Sequence, residues 1–449
     1  MAACSSAVHV QELGTDSVSR TRALIDRRWL TVTVVALNSS LNAVLSCNYS
    51  VVEEVTQEAL HTDDVQISFL YSAFLIIAAV GMTPGMMLAA RWEGVALGCS
   101  VLLNVGASWL RWIASEQESY RLSLISTVMC ALGTCTMLTL PAQVSQQRFP
   151  PDLWTFATSL MVQANYFGWL VGSVVPPQCI SGVASFKHFM LYQAMVASMV
   201  LVAFVLMYRP VLKVSARSQG SEASASFLES RERPQAIQTE DDNHAPGGLL
   251  NLLGVAMAHP RFALQVGAFG LMGGVSFSQP SAGIFILQDY GFSNQVDVWV
   301  NMCFIGTGIV FGIVVGKFCN EPRFFGITLK AMFVVCALCT GISAVLAASG
   351  FLNSNNIASF ILICVLSAGT GATSIGFIGI GIEAAALYPV GGAYACWLVE
   401  IIVQVAGGVI SQEASNSNGF MVLAVVQGFA TIVFLFSFKS VSFPASQQV

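Results

Sequence analysis

The chain has 449 residues, 55% of them apolar and only 10% charged, with a mean hydropathy of +0.71. A soluble globular chain carries roughly 25% charged residues, so that class is excluded. The formal net charge of −5 offers no basic face for nucleic acid.

Residues 1–28 form a polar N-terminal tail without an apolar core of signal-peptide length, so the first apolar stretch is expected to stay in the mature protein. A crossing helix needs about 20 apolar residues. Twelve stretches meet that need: 29–52, 67–90, 95–114, 122–142, 156–177, 189–208, 262–287, 297–316, 327–349, 357–380, 391–411 and 420–438. The expected fold class is therefore an all-α membrane protein with twelve transmembrane helices in two six-helix halves, 29–208 and 262–438. Between them, 209–261 opens with a polar run to Gly248 that has six serines between Ser215 and Ser230. No amphipathic period runs through it, so it reads as a disordered loop. The following LLNLLGVAMA is too short to cross and reads as an interfacial helix. Residues 439–449 form a second tail.

Lysine and arginine orient the chain. With the N-terminus inside, all but Arg111, Arg121 and Lys187 of the 19 basic residues fall on the inner side. Both termini and the central loop are then cytoplasmic, in a multi-pass protein assigned to the plasma membrane rather than an internal one. Asn48 opens an Asn-Tyr-Ser sequon too close to the membrane for glycosylation. Cys336 and Cys339 form a CxxC inside an apolar run, read as two small packing residues rather than a redox pair. The histidines give no metal-ligand constellation.

Polar side chains within spans are costly and point to function. Span eleven carries Glu400 near its middle, with Gln404 one turn on along the same face. An ionised carboxylate there costs about 2.5–3.5 kcal/mol on insertion scales, and no arginine or lysine is expected in the core of a span to pair with it. Glu400 is read either as a neutral packing group or as a contact for a ligand or proton. Span one carries Asn38, Asn42, Ser46 and Tyr49 in one stripe, as interhelical glue or ligand contacts. Span five carries Gln163, Asn165 and Tyr166, a Gly168–Gly172 face, and Pro176–Pro177 expected to break it. Span seven carries Ser276, Phe277, Ser278 and Gln279 ahead of Pro280, expected to break that helix. Glu383, at the inner end of span ten, suits a gating salt bridge or a helix-end role. Spans one and seven, and five and eleven, are counterparts in a two-times-six plan, which suits a repeat-built site at the midplane.

The runs RRWLTVTVVALNSSLNAV, LNVGASWLR, NYFGWLVGSVVPP, and GIGIEAAALYP followed by VQVAGG resemble the feline leukaemia virus subgroup C receptor-related family of major facilitator transporters. Two six-span halves around a long polar loop are that superfamily's plan. In the turn GMMLAARWEGV its usual acidic position is alanine, Ala89 or Ala90. The resemblance implies choline or ethanolamine as solute, with heme and pyridoxine also proposed for the family. It further implies an aromatic cage in which Gln404 is an identity, Phe277 takes the aromatic position, Tyr166 replaces a glutamine and Ser46 replaces a tryptophan.

The expected function is alternating-access secondary transport of a small organic solute, a cationic amine or heme-like, by a monomer in the lipid bilayer. The candidate site is Gln404, Glu400, Phe277, Tyr166, Ser46, Asn42 and Gln279. No cofactor, metal, catalytic residue or nucleic-acid partner is expected. The alternative is a receptor-like or sensor protein of the same fold. The absence of a Gly-x-x-x-x-Gly-Lys motif argues against an ATP-driven pump.

Overall fold

A computed structural model describes residues 28–208, 260–319, 321–354, 356–386, 392–416 and 418–438. Among these residues all regular structure is helical. In lipid this is the arrangement that satisfies each backbone donor and acceptor within its own segment. The N-terminal helices are α1 (Arg28–Val51), α2 (Glu53–Leu60), α3 (Asp64–Arg91), α4 (Glu93–Glu116), α5 (Tyr120–Met137), α6 (Pro141–Arg148), α7 (Trp154–Cys179) and α8 (Val183–Met207). The C-terminal ones are α9 (Pro260–Gln288), α10 (Asn294–Phe318), α11 (Pro322–Ala348), α12 (Ile357–Ser374), α13 (Ile378–Ala386), α14 (Gly392–Asn416) and α15 (Gly419–Ser437). The two tails, the central polar run and the short interfacial helix expected from the sequence lie outside the described residues.

Ten helical stretches among the described residues are long and apolar enough to cross a membrane, counting α5 with α6 and α12 with α13 as one stretch each. α7 and α9, 26 and 29 residues long, are not among them. Both are long enough, but Gln163 and Asn165 in α7, and Gln265, Gln279 and the serines of α9, lower their hydropathy. Both carry polar belts at mid-length.

The helix breaks differ from those expected. α7 runs through Pro176 and Pro177, and α9 through Pro280. The interruptions fall instead at Leu138–Leu140, between α5 and α6, and at Ile375–Phe377, between α12 and α13. Pro141 starts α6, where its missing N–H costs no helical bond. At the second break the Ile375 carbonyl accepts a 3.3 Å bond from the Ile378 N–H in place of a regular helical bond, and Gln163 Nε2 of α7 also donates to it at 3.1 Å.

Close packing rests on small residues. A Cβ on Gly168 of α7 would collide with the Ser40 carbonyl of α1, and one on Gly172 with Cys47 Sγ, so the glycine face brings these two helices together. Gly270, Gly273 and Gly274 of α9 similarly admit Ile402, Val403 and Ala406 of α14. A single apolar cluster then joins both sets of helices, from Met137, Tyr166 and Trp169 to Phe277, Phe304, Phe377 and Trp397. Lipid is as apolar as these side chains, so packing holds the cluster together, with little help from water expulsion.

Candidate functional site

The cluster encloses a cavity at the meeting of α1, the α5–α6 break, α7, α9 and α14. Ser39, Leu138, Asn165, Tyr166, Phe277 and Glu400 are among its walls. Its free interior is about 10 Å³, room for about one water. The site is therefore closed around its polar groups.

Glu400 is 5% exposed and lines this cavity, yet makes no hydrogen bond or ion pair with any described residue. Across from it the Tyr166 hydroxyl lies 3.1 Å from Ser276 Oγ. Ser276 already donates to the Gly273 carbonyl at 2.6 Å, so Tyr166 is the donor in that pair. The Tyr166 and Phe277 rings stand edge to face at 6.0 Å, and Trp169 and Phe277 at 5.0 Å. The rings of Tyr166 and Phe277 thus line the cavity with one carboxylate, and Trp169, not itself a wall, packs against Phe277. Trp169 was missing from the sequence-based site, although it lies three residues after Tyr166 on the same helix face.

The other candidates are placed differently. Gln404 is 3% exposed, and its Oε1 has no hydrogen-bond partner among the described residues. Ser46 donates to its own helix at Ala43 O, 2.7 Å away, and is not a cavity wall. Asn42 belongs to a network that ties α1 to α4 and α5. Its Nδ2 donates to Asn104 Oδ1 at 2.8 Å and to Cys130 O at 3.0 Å, and Thr134 Oγ1 donates to its Oδ1 at 2.7 Å. Asn104 in turn donates to Asn38 Oδ1 at 2.9 Å. Gln279 donates to Ser367 Oγ of α12 at 2.9 Å. Asn42 and Gln279 are thus already engaged in holding helices together.

Two acidic clusters lie nearer the end that carries Arg148. Glu383 of α13 is buried with no ion-pair partner among the described residues and is held by hydrogen bonds rather than by a salt bridge. Thr158 donates to its Oε1 at 2.6 Å, Ser145 to the same oxygen at 3.3 Å, and Gln146 to Oε2 at 3.4 Å. All three donors come from α6 and α7, so Glu383 clasps the C-terminal helices to the N-terminal ones. Within the N-terminal helices, Glu93 pairs with Arg148, and Tyr208 donates to Glu93 at 3.2 Å. The acidic position expected at Ala89 or Ala90, in the last turn of α3, is alanine, but Glu93 at the start of α4 makes an ion pair nearby in sequence.

The arginine survey also changes. Arg111, expected on the outer side, lies within α4 and is 1% exposed. A basic group is therefore enclosed in a span, although not beside Glu400. A further buried pair, Asp297 and Asn301 of α10, escaped notice because Asp297 falls on the boundary of its apolar run; Asn301 Nδ2 donates to Asp297 Oδ2 at 3.0 Å.

Comparison with known proteins gives a consistent picture. The profile of the Major Facilitator Superfamily matches residues 29–397. The choline/ethanolamine transporter FLVCR1 of Mus musculus is 21% identical over 167 residues, which cover 36% of this chain and 29% of that protein. FLVCR1 of Felis catus is 22% identical over 159 residues, covering 34% and 28%. The chain thus matches less than a third of the length of these curated relatives. Among solved structures, the major facilitator transporter FucP in its outward conformation superposes with a TM-score of 0.64 at 15% identity, over 92% of this chain and 100% of that one. A second structure, of a variant of the E. coli fucose:proton symporter FucP, gives 0.60 at 15% identity over 92% and 99%.

Proposed function

The chain belongs to the Major Facilitator Superfamily, and on that premise we propose that it is a secondary transporter that moves a small organic cation by alternating access. The observation that carries this reading is Glu400, a buried carboxylate on the cavity wall with no partner among the described residues, sharing that wall with the rings of Tyr166 and Phe277. A carboxylate with nearby ring faces suits an ammonium or quaternary amine, which each ring attracts by up to about 2 kcal/mol when desolvated. The same carboxylate repels the propionates of a heme, which favours an amine over a heme-like solute. The names of the FLVCR1 relatives, choline/ethanolamine transporters, agree with that class.

In this reading α7 and α9 also cross the membrane, for twelve spans in two six-helix halves, 29–208 and 262–438. The basic end is cytoplasmic, with both tails and the 209–261 loop, in a monomer of the plasma membrane. The closed cavity then corresponds to an occluded stage. Glu383 closes the cytoplasmic side, and separation of Glu383 from Thr158 accompanies inward opening. Glu400 and the rings hold the cation while either side opens, and Gln404, one turn away, steadies it. A carboxylate that meets the cation only inside the protein exchanges water for a paired charge, which makes binding selective for cations.

The test is uptake of radiolabelled choline and ethanolamine into proteoliposomes holding the purified protein. Saturable uptake of either, lost in Glu400→Gln, supports the reading. Binding by thermal shift with no uptake in any gradient would favour the receptor-like alternative. Neither binding nor uptake of any amine would remove the cationic solute.

A further inference from the structure

Arg111 is the largest fully buried side chain outside the aromatic cluster, and a guanidinium stays charged at any relevant pH. Its Nη1 donates to the Leu45 carbonyl, and its guanidinium carbon sits 4.6 Å from the centroid of the Tyr49 ring. No carboxylate lies within ion-pair distance among the described residues. Arg111 Nε has no hydrogen-bond partner. Leu45, Asn48 and Tyr49 stand at i, i+3 and i+4, so α1 turns one face toward Arg111. On that face Asn48 is 0% exposed with Nδ2 and Oδ1 both unpaired, and the enclosed Tyr49 hydroxyl is unpaired as well. The sequon at Asn48 is thereby buried and closed to glycosylation.

Three donor groups, Arg111 Nε and, on the α1 face turned toward it, Asn48 Nδ2 and Tyr49 OH, are therefore unused beside a positive charge that only a ring face and one carbonyl offset among the described residues. Leaving one buried hydrogen-bonding group unpaired costs about 1–3 kcal/mol, and a buried unpaired charge costs more. The end of α1 supplies at most about half a negative charge through its dipole, and one carbonyl supplies one lone pair. Water would satisfy the donors but leave the charge. A small anion satisfies both.

We propose that Arg111, Asn48 and Tyr49 form a binding site for a small inorganic anion of the chloride class, held between α1 and α4. The site lies within the N-terminal helices, apart from the cavity at Glu400, and the anion neutralises Arg111 and fixes α1 against α4.

The test uses the full-length protein in detergent or nanodiscs. Its unfolding temperature is measured as chloride replaces gluconate at constant ionic strength, together with binding of radioactive chloride. The expected result is a saturable rise with chloride and stoichiometric binding, both lost in Arg111→Gln. Should that variant not fold, Tyr49→Phe keeps the ring and removes one donor. It should raise the half-saturating chloride concentration about tenfold, the worth of one hydrogen bond to a charged group. No saturable chloride effect in the wild type overturns the proposal, as does a chloride effect unchanged in either variant.

Discussion

Thr158 of α7 donates a 2.6 Å hydrogen bond to Glu383 of α13, joining residues 225 positions apart across the boundary between the N- and C-terminal helices. Ser145 and Gln146 add two more donors from the same side. Thr158→Val removes the shortest bond while keeping the side-chain shape. It should weaken the clasp by about 1 kcal/mol or more and favour opening at the Arg148 end. A cysteine placed at Ser145 or Gln146 should then react faster with a membrane-impermeant thiol reagent from that side. Labelling at the wild-type rate would show that the bond does not restrain opening.

Glu400→Gln keeps the shape of the side chain and fixes it neutral. Folding should survive, because Glu400 makes no hydrogen bond to lose. Half-maximal uptake of a cationic amine should need about tenfold more solute, a change of about 1.4 kcal/mol. The dependence of uptake on pH should also flatten. Wild-type uptake at every pH would make Glu400 a neutral packing group.

Trp169 and Ser46 separate the observed ring cluster from the one inferred from family likeness. Trp169→Ala removes the ring packed 5.0 Å from Phe277, a cavity wall, and should weaken amine binding indirectly, by less than about tenfold, as Phe277 loses its support. Ser46→Trp should leave amine affinity near wild type, since Ser46 bonds to Ala43 and is not a cavity wall. Tighter choline binding in Ser46→Trp, measured by competition, would place residue 46 in the cage instead.

Gln404→Ala should raise the solute concentration for half-maximal transport with surface expression near normal. Its Oε1 has no hydrogen-bond partner among the described residues, so little is at stake beyond the lost side-chain volume. A collapse of expression would identify Gln404 as a structural residue.

At the other end of the molecule Glu118 accepts from Lys187 at 3.2 Å and lies 2.9 Å from His61. The His61 hydrogen bond, then that of Lys187, holds the Glu118 carboxyl below its ordinary value of 4.5. A depressed folded-state value gives stability that is present above 4.5 and lost as pH falls through the lowered value. The group is exposed, so the effect is small. Glu118→Gln should melt slightly below wild type at neutral pH, and the gap should close in acid. A gap that widens in acid would contradict the clasp.

Composition and apolar run length determined by themselves that this is a helical membrane protein, and the polar belts of α7, α9 and α14 were visible as residues too costly to be accidental. Spacing also gave the Gly168–Gly172 face, although only the fold shows that α1 packs on it. Tertiary structure decided how each polar group is used. Asn42 and Gln279 stood in the same kinds of belt as Tyr166 and Glu400, yet Asn42 meets Asn104 and Thr134, and Gln279 meets Ser367. Helical period tells which residues share a face but not which helix comes to face it. That partner lies 62 residues from Asn42 in Asn104, and 110 from Tyr166 in Ser276. The same ignorance hid the burial of Arg111, whose basic side chain was assigned only to the outer side. It also hid the breaks after α5 and α12: prolines inside α7 and α9 leave those helices continuous, while the Ile375 carbonyl at the second break is met by Gln163 from the opposite set of helices.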